Sequence, residues 1–148
     1  MTGAEPLAPP ERIRAIAIAA IRRADGALLV TSTVDPATGR TLVRPPGGGI
    51  DPGELAADAV VRELHEELGL EVAGPRLLGV LESIVGFAGR ARHEHMFVFA
   101  VEVAADASWP STTDAGHPVW WLEPARFADA EIDLVPVGLV GLLGAAPA

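Results

Sequence analysis

GGIDPGELAADAVVRELHEELGL, residues Gly48–Leu70, is the stretch on which the reading of the chain turns. Its pattern predicts a helix over Asp51–Gly69 with both ends marked. Asp51 is placed as N-cap, Pro52 as first helical residue and Glu54 as third, the arrangement of a capping box. Gly69 stands where a left-handed residue ends a helix. Between them Ala56, Val60, Leu64 and Leu68 recur every four residues and, with Val61, form one apolar stripe.

The opposite side of that helix is acidic. At ~100° per residue, Glu63, Glu66 and Glu67 fall within an arc of about 100°. Arg62 is spaced i, i+4 from Glu66 and is placed to bridge to it, and Asp58 flanks Arg62 from the other side. Glu67 sits on the border with the apolar stripe, where partial burial makes a charge costlier. Carboxylates packed on one face repel each other by a few tenths of a kcal/mol per pair (~0.2–0.5). A divalent cation removes that penalty, and oxygen ligands with room for water and phosphate suit Mg²⁺ or Mn²⁺. The glycines just before the helix let backbone approach a metal or phosphate closely. Taken singly, a Glu-rich helix face is an ordinary solvated face and a Pro-Gly-Gly-Gly run an ordinary turn. Their spacing is what distinguishes them.

Upstream of the glycines the chain reads as strands. Ile13–Ile21 is apolar except for Arg14 and suits a strand buried on both faces. Ala24-Asp25-Gly26 is a hairpin signal, Ala27–Thr31 the returning strand, Asp35–Gly39 a turn and Thr41–Arg44 a short strand. Pro45–Gly49 is expected to stop that sheet. Downstream, Leu77–Val85 and Met96–Val103 read as strands split by a loop around Gly86 and Gly89. Pro118–Leu122 is a further apolar run, Ala125–Ala130 a short helix and Leu134–Leu143 a weak C-terminal helix, as core or as an interface. Strands on both sides of a marked helix suggest an α/β (α+β) fold with a mixed sheet covered by helices. Residues 1–12 are expected to be a loose tail and 13–148 a single domain.

Composition narrows the chemistry. With 148 residues, 49% hydrophobic and 21% charged, the chain has enough apolar residues for a core and is not of the disordered type. It contains no cysteine, which removes disulfides, zinc–thiolate sites and cysteine nucleophiles. It contains no lysine, which removes Schiff-base chemistry and a lysine-bearing phosphate loop. A net charge of −9 argues against a nucleic-acid polymer as partner. No run approaches the ~20 apolar residues of a membrane span, and Met1–Pro10 lacks a secretory pattern, so a cytoplasmic protein is expected.

The segment Gly48–Leu70 resembles the Nudix box. That pattern is Gly, five residues, Glu, seven residues, Arg-Glu, an aliphatic, any residue, Glu-Glu, any residue, Gly, aliphatic. Gly48, Glu54, Arg62, Glu63, Leu64, Glu66, Glu67, Gly69 and Leu70 fill it without exception. Seven fixed positions at ~7% usage each match by chance at about 10⁻⁸ per starting point. The resemblance implies the Nudix fold, a mixed sheet between helices with the box as loop–helix–loop. It implies hydrolysis of the diphosphate linkage of a nucleotide or nucleotide conjugate by water, with Mg²⁺ or Mn²⁺. It implies Glu63 and Glu67 as metal ligands and Glu66 as a further ligand or the base. It further implies the Gly47 carbonyl as completing the sphere and Arg62 as orienting the acidic face through Glu66 or Glu54. In such proteins the base sometimes lies outside the box, where Glu82 and Glu94 are the candidates. A nucleotide sensor that does not cut is the alternative, disfavoured because no box carboxylate is missing. Homodimerisation is plausible for the family.

Three departures are visible. Members often carry an aromatic at the position of Val43 and a leucine at that of Pro45, and Asp51 replaces a common Glu. Substrate contacts are expected from Arg44, Arg92, Glu94 and Trp121, with Arg90 in the same loop as Arg92. Phe87 and Trp120 are alternative stacking residues. Trp120 and Trp121 should point to opposite faces of a strand. His93 and His95 share one strand face, and only the distant His117 offers a third metal ligand.

Overall fold

The computed structural model describes residues 6–145. Its strands are β1 (Ile13–Ala19), β2 (Leu28–Val34), β3 (Thr41–Arg44), β4 (Gly47–Gly49), β5 (Val72–Phe87), β6 (Arg90–Val103), β7 (Val119–Leu122) and β8 (Ile132–Leu134). Its helices are α1 (Ala56–Leu68) and α2 (Leu139–Ala145). The expected single sheet is two four-stranded sheets, ordered β4-β1-β6-β5 and β7-β2-β3-β8. Each is mixed: β1 runs parallel to β6, β3 parallel to β8, and the other pairs are antiparallel.

Strand alternation divides the core in two. Ile16 and Ile18 of β1 join Leu28, Val30, Met96, Val98 and Leu122 in a cluster closed by Leu139 and Leu143 of α2. The intervening Ala17 and Ala19 face Val60, Leu64 and Leu68 of α1. Small side chains there allow α1 to lie close on the strand. Each fully buried Leu or Val of the α1 stripe contributes roughly 1.5–3 kcal/mol. The run Ile13–Ile21 is thus buried on both faces over most of its length, as the apolar pattern required.

The helix starts later than its capping pattern suggested. Residues 51–54 form a turn, with Glu54 N–H donating to the Asp51 carbonyl at 3.0 Å and Gly53 at φ +87°. Leu55 is the N-cap and offers no side-chain hydrogen bond. Glu54 does reach back to the Asp51 N–H at 3.1 Å, but its carboxylate also receives the Arg62 guanidinium, which holds it outside the first turn. At the other end Gly69 has φ +65° and donates to the His65 carbonyl, while Leu70 donates to Leu64, the terminating motif expected there.

The glycines after Pro46 continue the sheet. Gly47–Gly49 pairs antiparallel with Ile16–Ile18 as β4, although glycine is disfavoured in strands. The hairpin of β5 and β6 is also longer than expected. Its turn is Ala88-Gly89, at φ +52° and +79°, so Gly86, Arg90 and Arg92 belong to strands. Asp35, at the β2–β3 turn, accepts the N–H groups of Ala37 and Ala88 and so ties the tips of two hairpins together.

Three terminal expectations change. Of the expected tail, residues 1–5 lie outside the described residues, whereas Leu7 packs on Gly86. Ala8 exchanges backbone hydrogen bonds with Gly89 and Ala91. The helix expected at Ala125–Ala130 is a 3-10 turn over Pro124–Arg126. The apolar run Leu134–Leu143 divides into the end of β8, a bend with a cis Val135–Pro136 bond, and α2. Leu139 and Leu143 are core, while Val137 and Val140 are exposed.

Candidate active site

The acidic face of α1 is organised by one arginine. Arg62 Nε and Nη2 donate to the two oxygens of Glu54, each at 2.8 Å. Nη1 donates to Glu63 at 3.0 Å and to Glu66 at 3.1 Å, and Nη2 also donates to the Gly49 carbonyl at 3.0 Å. The expected bridges to Glu54 and Glu66 are both present. These hydrogen bonds raise the Arg62 pKa above its ordinary range and hold Glu54 down at about 2. A flexible point charge cannot reproduce such a fork.

Glu67 is placed differently. It stands one turn after Glu63, on the border between the acidic and apolar faces, and accepts the Gly47 N–H at 3.1 Å. Burial pushes its carboxyl up to about 7, against the opposing pull of the nearby Arg44 charge and the Gly47 N–H. The neighbouring carboxylates of Glu63 and Asp114 add to the rise. Its backbone carbonyl accepts the Asp114 N–H at 3.0 Å, fixing the loop that carries His117.

Glycine is required on the facing strand. A Cβ on Gly48 would lie 2.5 Å from the Glu63 carboxyl carbon, so the bare backbone is what admits that carboxylate. Glu63 against Gly48, Glu67 on the Gly47 N–H and Glu66 on Arg62 offer only oxygen donors beside this strand. Such a set fits a hard divalent ion, and Mg²⁺ is usually held by one or two carboxylates with water and phosphate completing its sphere. Among the described residues no group of three His, Cys, Asp or Glu side chains is gathered closely enough to hold a metal ion by itself. The Gly47 carbonyl also accepts Arg44 Nη2 at 3.3 Å.

Glu67 opens onto a cleft of about 190 Å³ between the two sheets. Arg44, Arg92 and Glu94 line it, so four of the residues singled out in the sequence meet there. Glu94 is only 5% exposed, and its nearest cation is Arg14 at 3.7 Å. Glu82 projects from the opposite, exposed face of β5 and does not line the cleft. Arg14 and Ser32 line it without having been anticipated, and His117, raised from the sequence only as a distant third metal ligand, lines it too. For Arg14 the signal was present, since it is the one charge inside an otherwise apolar strand.

Trp121 is elsewhere. It packs edge-on against Trp109, with ring centroids 5.1 Å apart, beneath the Arg23 guanidinium and toward the α1 side of the core. Trp120 points the other way, as strand alternation demanded, and its Nε1 donates to the cleft residue Ser32 at 3.0 Å. Val43 is fully buried, so no ring stacks from that position. His93 and His95 lie edge to face at 5.4 Å within β6, without a third ligand among the described residues.

Arg62→Met is expected to weaken the apparent Mg²⁺ affinity or the turnover 10–100-fold, the usual effect of removing a residue that orients ligands. Arg62→Lys should recover only part of it. A metal titration of activity across the three proteins checks this.

A family model described as NUDIX domain matches residues 11–138. Diphosphoinositol polyphosphate phosphohydrolase 3-alpha of Mus musculus is 36% identical over 102 residues, 68% of this chain and 57% of that protein. Human diphosphoinositol polyphosphate phosphohydrolase 2 is 33% identical over 79 residues, 53% of this chain and 41% of its own length. The chain thus spans about half the length of the curated relatives it matches. Among solved structures, the MutT NUDIX hydrolase of Burkholderia pseudomallei superposes with a TM-score of 0.64 at 25% identity, over 92% of this chain and all of that one. The MutT protein of Methanosarcina mazei gives 0.61 at 19% identity, covering 92% of each chain.

Proposed function

The chain belongs to the Nudix family, and from that premise we propose that it hydrolyses the diphosphate linkage of a small phosphorylated compound, a nucleotide or nucleotide conjugate, with Mg²⁺ or Mn²⁺. The observation that carries this reading is the division of labour on α1. Arg62 gathers Glu54, Glu63 and Glu66, while Glu67 is half-buried at the mouth of an arginine-lined cleft. Glu63, Glu66 and Glu67 with the Gly47 carbonyl would hold the ion. Once bound, it polarises phosphoryl oxygens and lowers the pKa of water. The chain's own residues then position and compensate charge, which is most of what phosphoryl transfer asks of a protein. Arg44 and Arg92 bind the phosphates, and Glu66 or Glu94 takes the proton from the attacking water.

Full turnover of a panel is the test. Nucleoside triphosphates, ADP-ribose, a dinucleoside polyphosphate and a diphosphoinositol polyphosphate (the substrate type named for the curated relatives) are each incubated with Mg²⁺, with Mn²⁺ and with chelator. Metal-dependent release of phosphate or nucleoside monophosphate from at least one compound is expected. Absence of turnover on all of them, with nucleotide binding still measurable by calorimetry, would replace the hydrolase by a sensor. None of the described helices is long and apolar enough to cross a membrane.

A further inference from the structure

A second cavity of about 250 Å³ adjoins the cleft and shares Arg14, Arg92 and Glu94 with it. Arg12 and Arg90 are its other arginines, and His93 lines it as well. With Arg44 in the cleft, five of the eleven basic residues of a chain of net charge −9 line these two spaces. Elsewhere the guanidinium groups are largely matched: Arg23 by Asp25 and Glu123, Arg40 by Asp133, Arg126 by Asp129 and Arg62 by the α1 carboxylates. Among the described residues no carboxylate lies within ion-pair distance of Arg12, Arg44 or Arg92. In the outer cavity four arginines face two carboxylates, Glu94 and the exposed Glu11, a local surplus of two positive charges.

Local structure holds these groups in place. The parallel register sets Ile13 beside His93 and Arg14 beside Glu94, and Arg12, just before β1, lines the same outer cavity as Arg92. Arg92 lies over the Phe87 ring at 4.2 Å, and Arg90 Nη1 donates to the Pro9 carbonyl at 2.8 Å. The docked segment Leu7–Pro9 thereby braces the outer wall. Neither space is lined by a tryptophan or phenylalanine, because Trp120 and Trp121 pack elsewhere.

Building on the hydrolase reading above, we infer that the outer cavity is a second anion site, in which Arg12, Arg14, Arg90 and Arg92 receive substrate phosphates remote from the scissile diphosphate. The preferred substrate is then a polyanion held at both ends by guanidinium groups, and no stacked base is needed to position it. Arginine suits this role because its planar fork matches phosphate oxygens in pairs. A positive recess in an acidic surface also concentrates polyanions at the site.

Calorimetry on the metal-free protein at 0.15 M salt tests the inference. The probes are inositol hexakisphosphate, inorganic tripolyphosphate and AMP. The variants are Arg12→Gln/Arg90→Gln and a charge-matched control, Arg22→Gln/Arg76→Gln, in a separate cavity. At least one polyphosphate is expected to bind about 10-fold or more tighter than AMP, with a salt dependence typical of exposed charges. The first variant should lose about 10-fold of that affinity and leave AMP unchanged, and the control should lose none. Tight binding of the hexakisphosphate alone assigns phosphates spread around a ring. Tight binding of tripolyphosphate alone assigns a linear chain, and either supports the site. Equal or tighter AMP binding overturns it, as does an equal loss in the control. Polyphosphate binding through these arginines without turnover of any compound would overturn the hydrolase reading only. Turnover without polyphosphate preference would overturn the second anion site only.

Discussion

Glu67→Gln is expected to lower turnover by about 10³-fold, roughly 4 kcal/mol of transition-state stabilisation, while making the metal-free protein more stable at pH 8. The two effects share one cause. Glu67 is a carboxyl at the mouth of the cleft whose burial raises it from 4.5 to about 7. As a proposed metal ligand it supplies negative charge where the ion sits, and an amide of the same shape does not. Its folded pKa lies above the unfolded value, so the folded state binds the proton more tightly. The stability this contributes is fully present below about pH 4.5 and is lost as the pH rises through about 7. The glutamine has no proton to lose and keeps an oxygen for the Gly47 N–H. At 1.36 kcal/mol per pH unit the gain at pH 8 is bounded by ~3 kcal/mol. Thermal melts of both proteins in chelator at pH 5 and pH 8 check it. The melting points should be close at pH 5, with the variant higher at pH 8. A variant that melts lower at both pH values would contradict the account of Glu67 as a destabilised buried charge.

Gly47→Ala is expected to destabilise the fold by about 4 kcal/mol, at the severe end for a single substitution, and to abolish activity with it. Gly47 sits at φ +147°, and a Cβ there would run into the backbone carbonyl of Ala17 on β1. Neither partner has a rotamer to move, since both atoms belong to paired strands. Separation of β4 from β1 would also withdraw the N–H that holds Glu67. Gly141→Ala is the internal control. That glycine lies in α2 with open space around its Cβ position, and alanine is favoured over glycine in a helix by roughly 0.5–1 kcal/mol. Denaturant melts should therefore move in opposite directions for the two variants. Equal, small shifts would show that β4 tolerates a side chain.

The local features of the site were readable in the chain for a definite reason. Helical periodicity is short-range, so the stripe Val60, Leu64 and Leu68, the terminating Gly69 and the i, i+4 reach of Arg62 to Glu66 are set within a few residues of each other. The capping pattern misplaced the helix start because Glu54 has two possible uses, and the tertiary partner Arg62 claims it. Strand lengths in β5 and β6 were underestimated because polar residues such as Arg90, Arg92 and His93 are carried on strand faces that open to the cleft and to solvent, where the apolar pattern breaks.

Gly47–Gly49 as a strand was beyond any local reading. Glycine argues for a turn by propensity, and only the approach of Ala17 and Glu63 makes its bare backbone necessary. The cleft is a long-range product too. Arg14, Arg44 and the β6 pair Arg92 and Glu94 come from distant parts of the chain and meet because β1 runs parallel to β6 while β3 faces them from the second sheet. Trp121 shows the same limit from the other side: alternation placed the two tryptophans on opposite faces, but which face borders the cleft depends on how the sheets pack. Spacing along one helix was thus enough to define the acidic box and its family. The arginine-lined cleft beside it, and the burial that singles out Glu67, arose only when strands distant in sequence were brought together, because charge proximity and desolvation are properties of packed surfaces.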